Sequence, residues 1–194
     1  MLCIHNSIAP TKLYLPDKYL GYCAAALIPC LNKTILIASL YNPPMDSDYR
    51  LPISELIDLI KLLHSFSSYI ILVGDLNLHS INWNTLTSTD ESENAFLQLI
   101  DDLNIKQHIS FLTTSANTLD LVFASNRINL IDAAPIVTNY LPTSVHLPIS
   151  CTLGIEDELK LRQFTTDNYL SYCKTDYVML NNLIEQDAFY SICW

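Results

Sequence analysis

The sequence predicts an α/β domain with mixed strand connections. Three observations lead there. Half of the 194 residues are apolar and only 15% are charged. Short apolar runs rich in β-compatible side chains recur along the chain, and two stretches of amphipathic helical periodicity lie between them. This length suits one domain with a sizeable core.

Residues 21–29 and 34–41 are apolar and separated by the polar Leu31-Asn32-Lys33, the pattern of an antiparallel strand pair, and Pro43-Pro44 ends the second strand. From Leu51 to Phe66 the residues Ile53, Leu56, Ile57, Ile60 and Leu63 recur at helical spacing, with Glu55, Asp58, Lys61 and His64 on the other side. Tyr69–Val73 reads as a buried strand that runs straight into Gly74-Asp75-Leu76-Asn77. A second helix is predicted over Glu91–Leu103: Phe96, Leu99, Ile100 and Leu103 form one face, and Asp90-x-x-Glu93 resembles a capping box. Strands are predicted at Leu119–Ala124, Pro135–Val137 and His146–Leu153. Beyond Gly154 the chain becomes acidic, with weak helical periodicity at Tyr177–Ile184.

Composition excludes several activities. The three glycines, Gly21, Gly74 and Gly154, lie too far apart for a dinucleotide fingerprint, a phosphate loop or a nucleophile elbow. No two of His5, His64, His79, His108 and His146 are four apart, so the zinc-protease helix is absent. Cys3, Cys23, Cys30, Cys151, Cys173 and Cys193 contain no C-x-x-C pair and read as small buried hydrophobes rather than a disulfide framework or zinc site. Apolar runs fall short of the ~20 residues that span a bilayer. The N-terminus lacks the features of a secretory signal, so an intracellular protein, cytoplasmic or nuclear, is expected. The net charge of −10 is concentrated after residue 90, where 13 acidic side chains face 5 basic ones. No basic stripe is present to neutralise a phosphate backbone.

Three polar islands end apolar strands: Gly74-Asp75-Leu76-Asn77, Leu119-Asp120-Leu121 and Ser144-Val145-His146. A rigid sheet that delivers polar groups to open loops is how α/β proteins build sites. The chemistry would be hydrolytic. Asp75 would orient or deprotonate water, Asn77 would donate to a developing oxyanion, His146 would stabilise it or protonate a leaving group, and Asp120 would hold the imidazole tautomer. Each residue also has a structural reading. Gly-Asp-x-Asn commonly makes a turn after a strand, a lone histidine more often belongs to a core or a surface, and Asp120 in its apolar run requires a donor or cation facing it.

The same residues resemble the endonuclease/exonuclease/phosphatase superfamily, and within it the endonuclease domain of non-LTR retrotransposons. Leu40-Tyr41-Asn42-Pro43-Pro44 is similar to that family's Tyr-Arg-Pro-Pro. Val73-Gly74-Asp75-Leu76-Asn77, with Ile81-Asn82-Trp83 downstream, is similar to its Gly-Asp-Phe-Asn region. Leu119-Asp120-Leu121-Val122-Phe123 and Ser144-Val145-His146-Leu147-Pro148-Ile149 complete the order, the last resembling Ser-Asp-His-x-Pro-Ile. The resemblance covers residues 20–153. It implies a four-layered sandwich of two mixed sheets flanked by helices, and Mg²⁺-dependent nicking of DNA ahead of reverse transcription. It assigns water activation to Asp75, transition-state support to Asn77 and His146, orientation of His146 to Asp120, and substrate contact to Tyr41 and the adjoining Asn42.

Departures from the family pattern qualify these roles. Val145 replaces the Asp before the histidine and offers no oxygen to a hard cation. Asn42 replaces an Arg, removing a planar cation suited to phosphate. Residues 1–154 are expected to be a partial domain that starts after the family's first two strands and lacks their Asn and metal-binding Glu, with no intact metal set. Residues 155–194 resemble the linker toward a reverse transcriptase. An impaired copy is therefore expected, with weak DNA contact and self-association through an uncovered edge at 21–41. A small-substrate phosphoesterase and a non-catalytic interaction module are the alternatives.

Overall fold

The computed structural model describes residues 2–5, 8–30, 33–44, 46–114, 116–136, 148–155 and 189–192. The expected helical stretch at Tyr177–Ile184 and the island Ser144-Val145-His146 lie outside them. The described strands are β1 (Leu2–His5), β2 (Thr11–Leu13), β3 (Cys23–Cys30), β4 (Lys33–Tyr41), β5 (Tyr69–Asp75), β6 (Ile81–Asn82), β7 (Thr87–Ser88), β8 (Ile105–Gln107), β9 (Asp120–Ser125), β10 (Ile128–Pro135), β11 (Ile149–Ile155) and β12 (Phe189–Ile192). The described helices are α1 (Ile53–Phe66) and α2 (Glu91–Asp102).

A six-stranded mixed sheet organises the molecule, in the order β2-β3-β4-β5-β9-β8. β3 and β4 form the antiparallel pair read from the sequence, with Cys30 opposite Lys33 at its tight end. β4 and β5 are parallel; parallel neighbours need a long crossover, and α1 supplies it. β5–β9 and β9–β8 are antiparallel.

Period-two alternation assigns each side chain of the sheet to one of two layers. On one face Leu36, Ala38, Leu40, Ile70, Leu72, Leu121 and Phe123 pack on Leu56, Leu59, Ile60 and Leu63 of α1 and on Phe96, Leu99 and Ile100 of α2. On the other, Ala24 and Ala26 meet Leu2 and Ile4, while Ile35, Tyr69 and Ala124 meet Ile128 and Leu153. The second layer is therefore made of two antiparallel pairs, β1–β12 and β10–β11. The result is an α/β sandwich: helices, a mixed sheet and a second strand layer.

The second helix starts where the sequence indicates, at Glu91, whereas α1 starts at Ile53, two residues after the expected Leu51, with Pro52 at its N-cap. Asp90 caps α2, its carboxylate accepting from Ser92 N at 2.8 Å and Glu93 N at 3.0 Å. The return half of the capping box runs through Ser88, whose hydroxyl accepts from Asp90 N and donates to Glu93 Oε2. None of the described helices is long and apolar enough to cross a membrane.

The structure corrects several boundaries. The strand expected at Pro135–Val137 instead occupies Ile128–Pro135, because cross-strand pairing with β11 selects it rather than any alternation of its own. The segment 21–41 expected to present an open edge is paired on both sides, by β2 and by β5, so the edges of the sheet are β2 and β8. Among the described cysteines, Cys23 is buried, Cys30 and Cys151 are half-buried, and Cys3 is exposed rather than buried; all four are free thiols.

Candidate functional site

The site begins with a glycine. Gly74 has φ of +150°, and a Cβ there would lie 1.7 Å from the Leu40 carbonyl oxygen, so only glycine lets β5 lie this close to β4. The next residue, Asp75, ends β5 directly beside Tyr41 on the parallel strand and directly opposite Asp120 on the antiparallel one. Three residues from separate motifs thus form one row across three adjacent strands. Alternation puts the row on the face away from the helices, since Leu72 and Phe123 point toward them.

Tyr41 is 50% exposed; Asp75 and Asp120 are half-buried. Asp120 lines an open cleft of about 510 Å³ with Val73, Gly74, Val122, Pro148 and Cys151. Tyr41 lines a neighbouring cleft of about 480 Å³ with Tyr22, Pro43, Pro44 and Tyr49.

Behind the row lies a hydrogen-bond network. Asn77 adopts a left-handed backbone, φ +49°, which asparagine tolerates. Its N–H donates to Asp75 Oδ1 at 3.2 Å and its side-chain amide donates to the Asn42 carbonyl at 2.9 Å. Asn42 N–H donates to the Asp75 carbonyl at 2.9 Å. Its side chain accepts from Leu51 N at 2.9 Å and donates to Leu51 O at 3.2 Å. Gly-Asp-x-Asn is thus a turn and a polar site together, the turn being what aims the carboxylate. At 1% exposure Asn42 faces inward, so of the two residues expected to contact substrate only Tyr41 opens to solvent.

Three polar residues near the row carry no signal in the sequence. Thr113, fully buried, accepts at its Oγ1 from both Leu119 N and Asp120 N at 3.0 Å, fixing the start of β9. Arg50 donates from Nη2 to the Asn77 carbonyl at 3.3 Å. His108 donates its backbone N–H to the Val122 carbonyl at 2.8 Å, while its Nε2 is buried without a hydrogen-bond partner among the described residues. Burial, then the nearby Lys106 charge, holds its imidazole below the ordinary pKa. Arg50 acts through a residue 27 positions away and Thr113 through residues six and seven positions away, and no motif read from the chain encodes either contact.

Val145 and His146 lie outside the described residues. Among the described residues no three His, Cys, Asp or Glu side chains gather as a metal set. Asp75 and Asp120 supply two carboxylates, and Mg²⁺ is commonly held by one or two carboxylates, with waters and substrate phosphates completing its octahedron. The pair is thus of the right chemistry to hold Mg²⁺, while Val145, where the resembled motif has Asp, offers it no oxygen.

Residues 35–150, more than half of the chain, match the model of the endonuclease-reverse transcriptase family, of the endonuclease/exonuclease/phosphatase superfamily. The chain belongs to this family. The match runs from β4 into β11, so it contains all three residues of the row. The endonuclease/exonuclease/phosphatase fold recurs in solved structures. The endonuclease domain of TRAS1, a telomere-specific non-LTR retrotransposon, is 16% identical with a TM-score of 0.53, over 75% of this chain and 67% of that one. The 3′ phosphatase NExo from Neisseria is 14% identical with a TM-score of 0.54, over 75% and 71%. The human Nocturnin catalytic domain is 19% identical with a TM-score of 0.52, over 69% and 52%. At these identities the likeness shows the fold, and the chain spans between about half and seven-tenths of these neighbours. No curated protein matches the sequence.

Proposed function

We propose that this chain is a phosphodiester hydrolase domain of the retrotransposon endonuclease type whose capacity to nick DNA is impaired in this copy. The observation that carries the reading is the row Tyr41–Asp75–Asp120, which joins three motifs of the endonuclease family on one open face. Asp75 takes a proton from the attacking water. Its carboxylate is aimed by the Asn77 N–H, so Asn77 supports the transition state through the group it positions. Asp120, anchored by Thr113, orients His146, and His146 stabilises the developing charge or protonates the leaving oxygen. Tyr41 contacts the phosphate. DNA as substrate is favoured by the Neisseria 3′ phosphatase, which is described bound to a product DNA hairpin.

Impairment is favoured by Val145, an apolar side chain where the family resemblance has Asp. The net charge of −10 favours a second reading, in which a small phosphoester replaces the polyanion. Residues 155–194 are read as the tail toward a reverse transcriptase, acting where DNA is, in nucleus or cytoplasm.

The test is nicking of supercoiled plasmid in Mg²⁺ by the purified chain beside His146→Ala and Asp75→Asn. The expected result is no nicking above either variant, and none restored by Val145→Asp alone. Clear nicking that His146→Ala abolishes would overturn impairment. Phosphate release from small esters without nicking selects the second reading, and a folded protein inert in both assays points to an interaction module.

A further inference from the structure

We infer that Arg50 is the phosphate-binding cation of this site, in place of a guanidinium at position 42. The inference rests on the phosphoester reading above and assigns one of its ligand contacts. Position 42, where the resembled motif carries Arg, holds an asparagine that is 1% exposed and closes on both backbone groups of Leu51. That clamp fixes the residue next to Arg50. The Arg50 side chain then reaches Asn77, the residue whose N–H aims Asp75. The substitution that removes one cation from the motif thus belongs to the contact that brings another beside it.

One nitrogen of this guanidinium is used and another is not. Nη2 donates to the Asn77 carbonyl, whereas Nη1 is buried and has no hydrogen-bond partner among the described residues. Leaving a charged N–H buried and unpaired is unfavourable. The arrangement becomes favourable when an anionic acceptor arrives. A phosphoester supplies one, because its two non-bridging oxygens match the forked donors of a guanidinium. A cation is also needed here on electrostatic grounds. A phosphate approaching the row meets Asp75 and Asp120 in a chain of net charge −10, and a positive charge hydrogen-bonded into the same network offsets that repulsion.

The experiment is binding of a fluorescein-labelled single-stranded oligonucleotide by anisotropy, over a series of salt concentrations. It compares wild type, Arg50→Ala, Arg50→Lys and, as a control for net charge, Lys61→Ala on the exposed side of α1. Arg50→Ala is expected to weaken binding about tenfold or more at low salt. It should also flatten the dependence of log K on log salt by about 1, the signature of one lost phosphate contact. Arg50→Lys should keep the slope while weakening binding, because it retains the charge without the fork; it also remains informative if the alanine variant fails to fold. An unchanged slope in Arg50→Ala, or an equal loss in Lys61→Ala, would overturn the inference. If wild type does not bind the oligonucleotide, calorimetry with p-nitrophenyl phosphate separates the cases. Binding lost in Arg50→Ala upholds Arg50 and overturns DNA as ligand, binding retained overturns Arg50, and no binding by wild type overturns both.

Discussion

Asp75 and Asp120 stand directly opposite each other on antiparallel β5 and β9. Cβ atoms of such pairs lie about 4.5–5.5 Å apart, and like charges placed there repel. The arrangement concentrates acceptors at one end of the sheet.

A double-mutant cycle measures that repulsion whatever else each carboxylate touches. Asp75→Asn and Asp120→Asn, singly and together, should give an unfavourable coupling between the two charges of about 0.2–1 kcal/mol in urea unfolding near neutral pH. A favourable coupling would mean that the pair shares a proton or a bound cation, and that repulsion between the two carboxylates does not govern their interaction.

Gly74→Ala should be among the most damaging single substitutions. Its new methyl group would overlap the Leu40 carbonyl, a backbone atom that cannot step aside without parting β4 from β5. A loss of at least about 3 kcal/mol is expected from equilibrium unfolding. A loss below about 1 kcal/mol, or a gain such as glycine-to-alanine changes give where the backbone suits alanine, would show that the two strands are not packed this closely.

His108 predicts a pH dependence with a definite sign. Burial first, and Lys106 second, hold its folded pKa below the ordinary 6.5. As pH falls through about 6.5 the unfolded chain takes up this proton before the native one does, so stability is present above that pH and declines below it. The decline stops once the native imidazole protonates as well. The melting temperature should therefore fall between about pH 7 and pH 5 by more in wild type than in His108→Gln. Equal slopes in the two proteins would remove His108 as the cause.

Thiol reactivity should separate two cysteines that lie in facing strand layers. Cys23 is buried, and burial pushes its thiol up to about 12, whereas Cys3 is exposed. The thiolate is the reactive form. Maleimide at about pH 8, followed by peptide mass spectrometry, should label Cys3 rapidly and Cys23 only in denaturant. Rapid native labelling of Cys23 would show that β3 is not covered as described.

Much of this molecule is legible in a local reading of the chain. Both helices, the β3–β4 pair, β5 and β9 follow from periodicity, because one apolar face repeating at 3.6 or 2 residues leaves few ways to bury it. The residue types of the candidate site stand out too, since Asp75, Asn77 and Asp120 end or interrupt apolar runs, where a buried carboxylate or amide needs a partner. Short strands such as β1, β2 and β8 carry only three or four residues and show no period, so pairing partners define them.

What the tertiary structure decided is register and reach. Nothing in the spacing of Tyr41, Asp75 and Asp120 says that they share one row. That depends on β5 lying parallel to β4 and antiparallel to β9 in one particular alignment, which Gly74 permits by letting backbone meet backbone. Likewise Asn42, in sequence a lost cation, is in three dimensions a clamp on Leu51 that carries Arg50 to Asn77. Local sequence determines which residues prefer to be buried or solvated. Which of them meet is determined by strand pairing over tens of residues, a long-range interaction that no window along the chain contains.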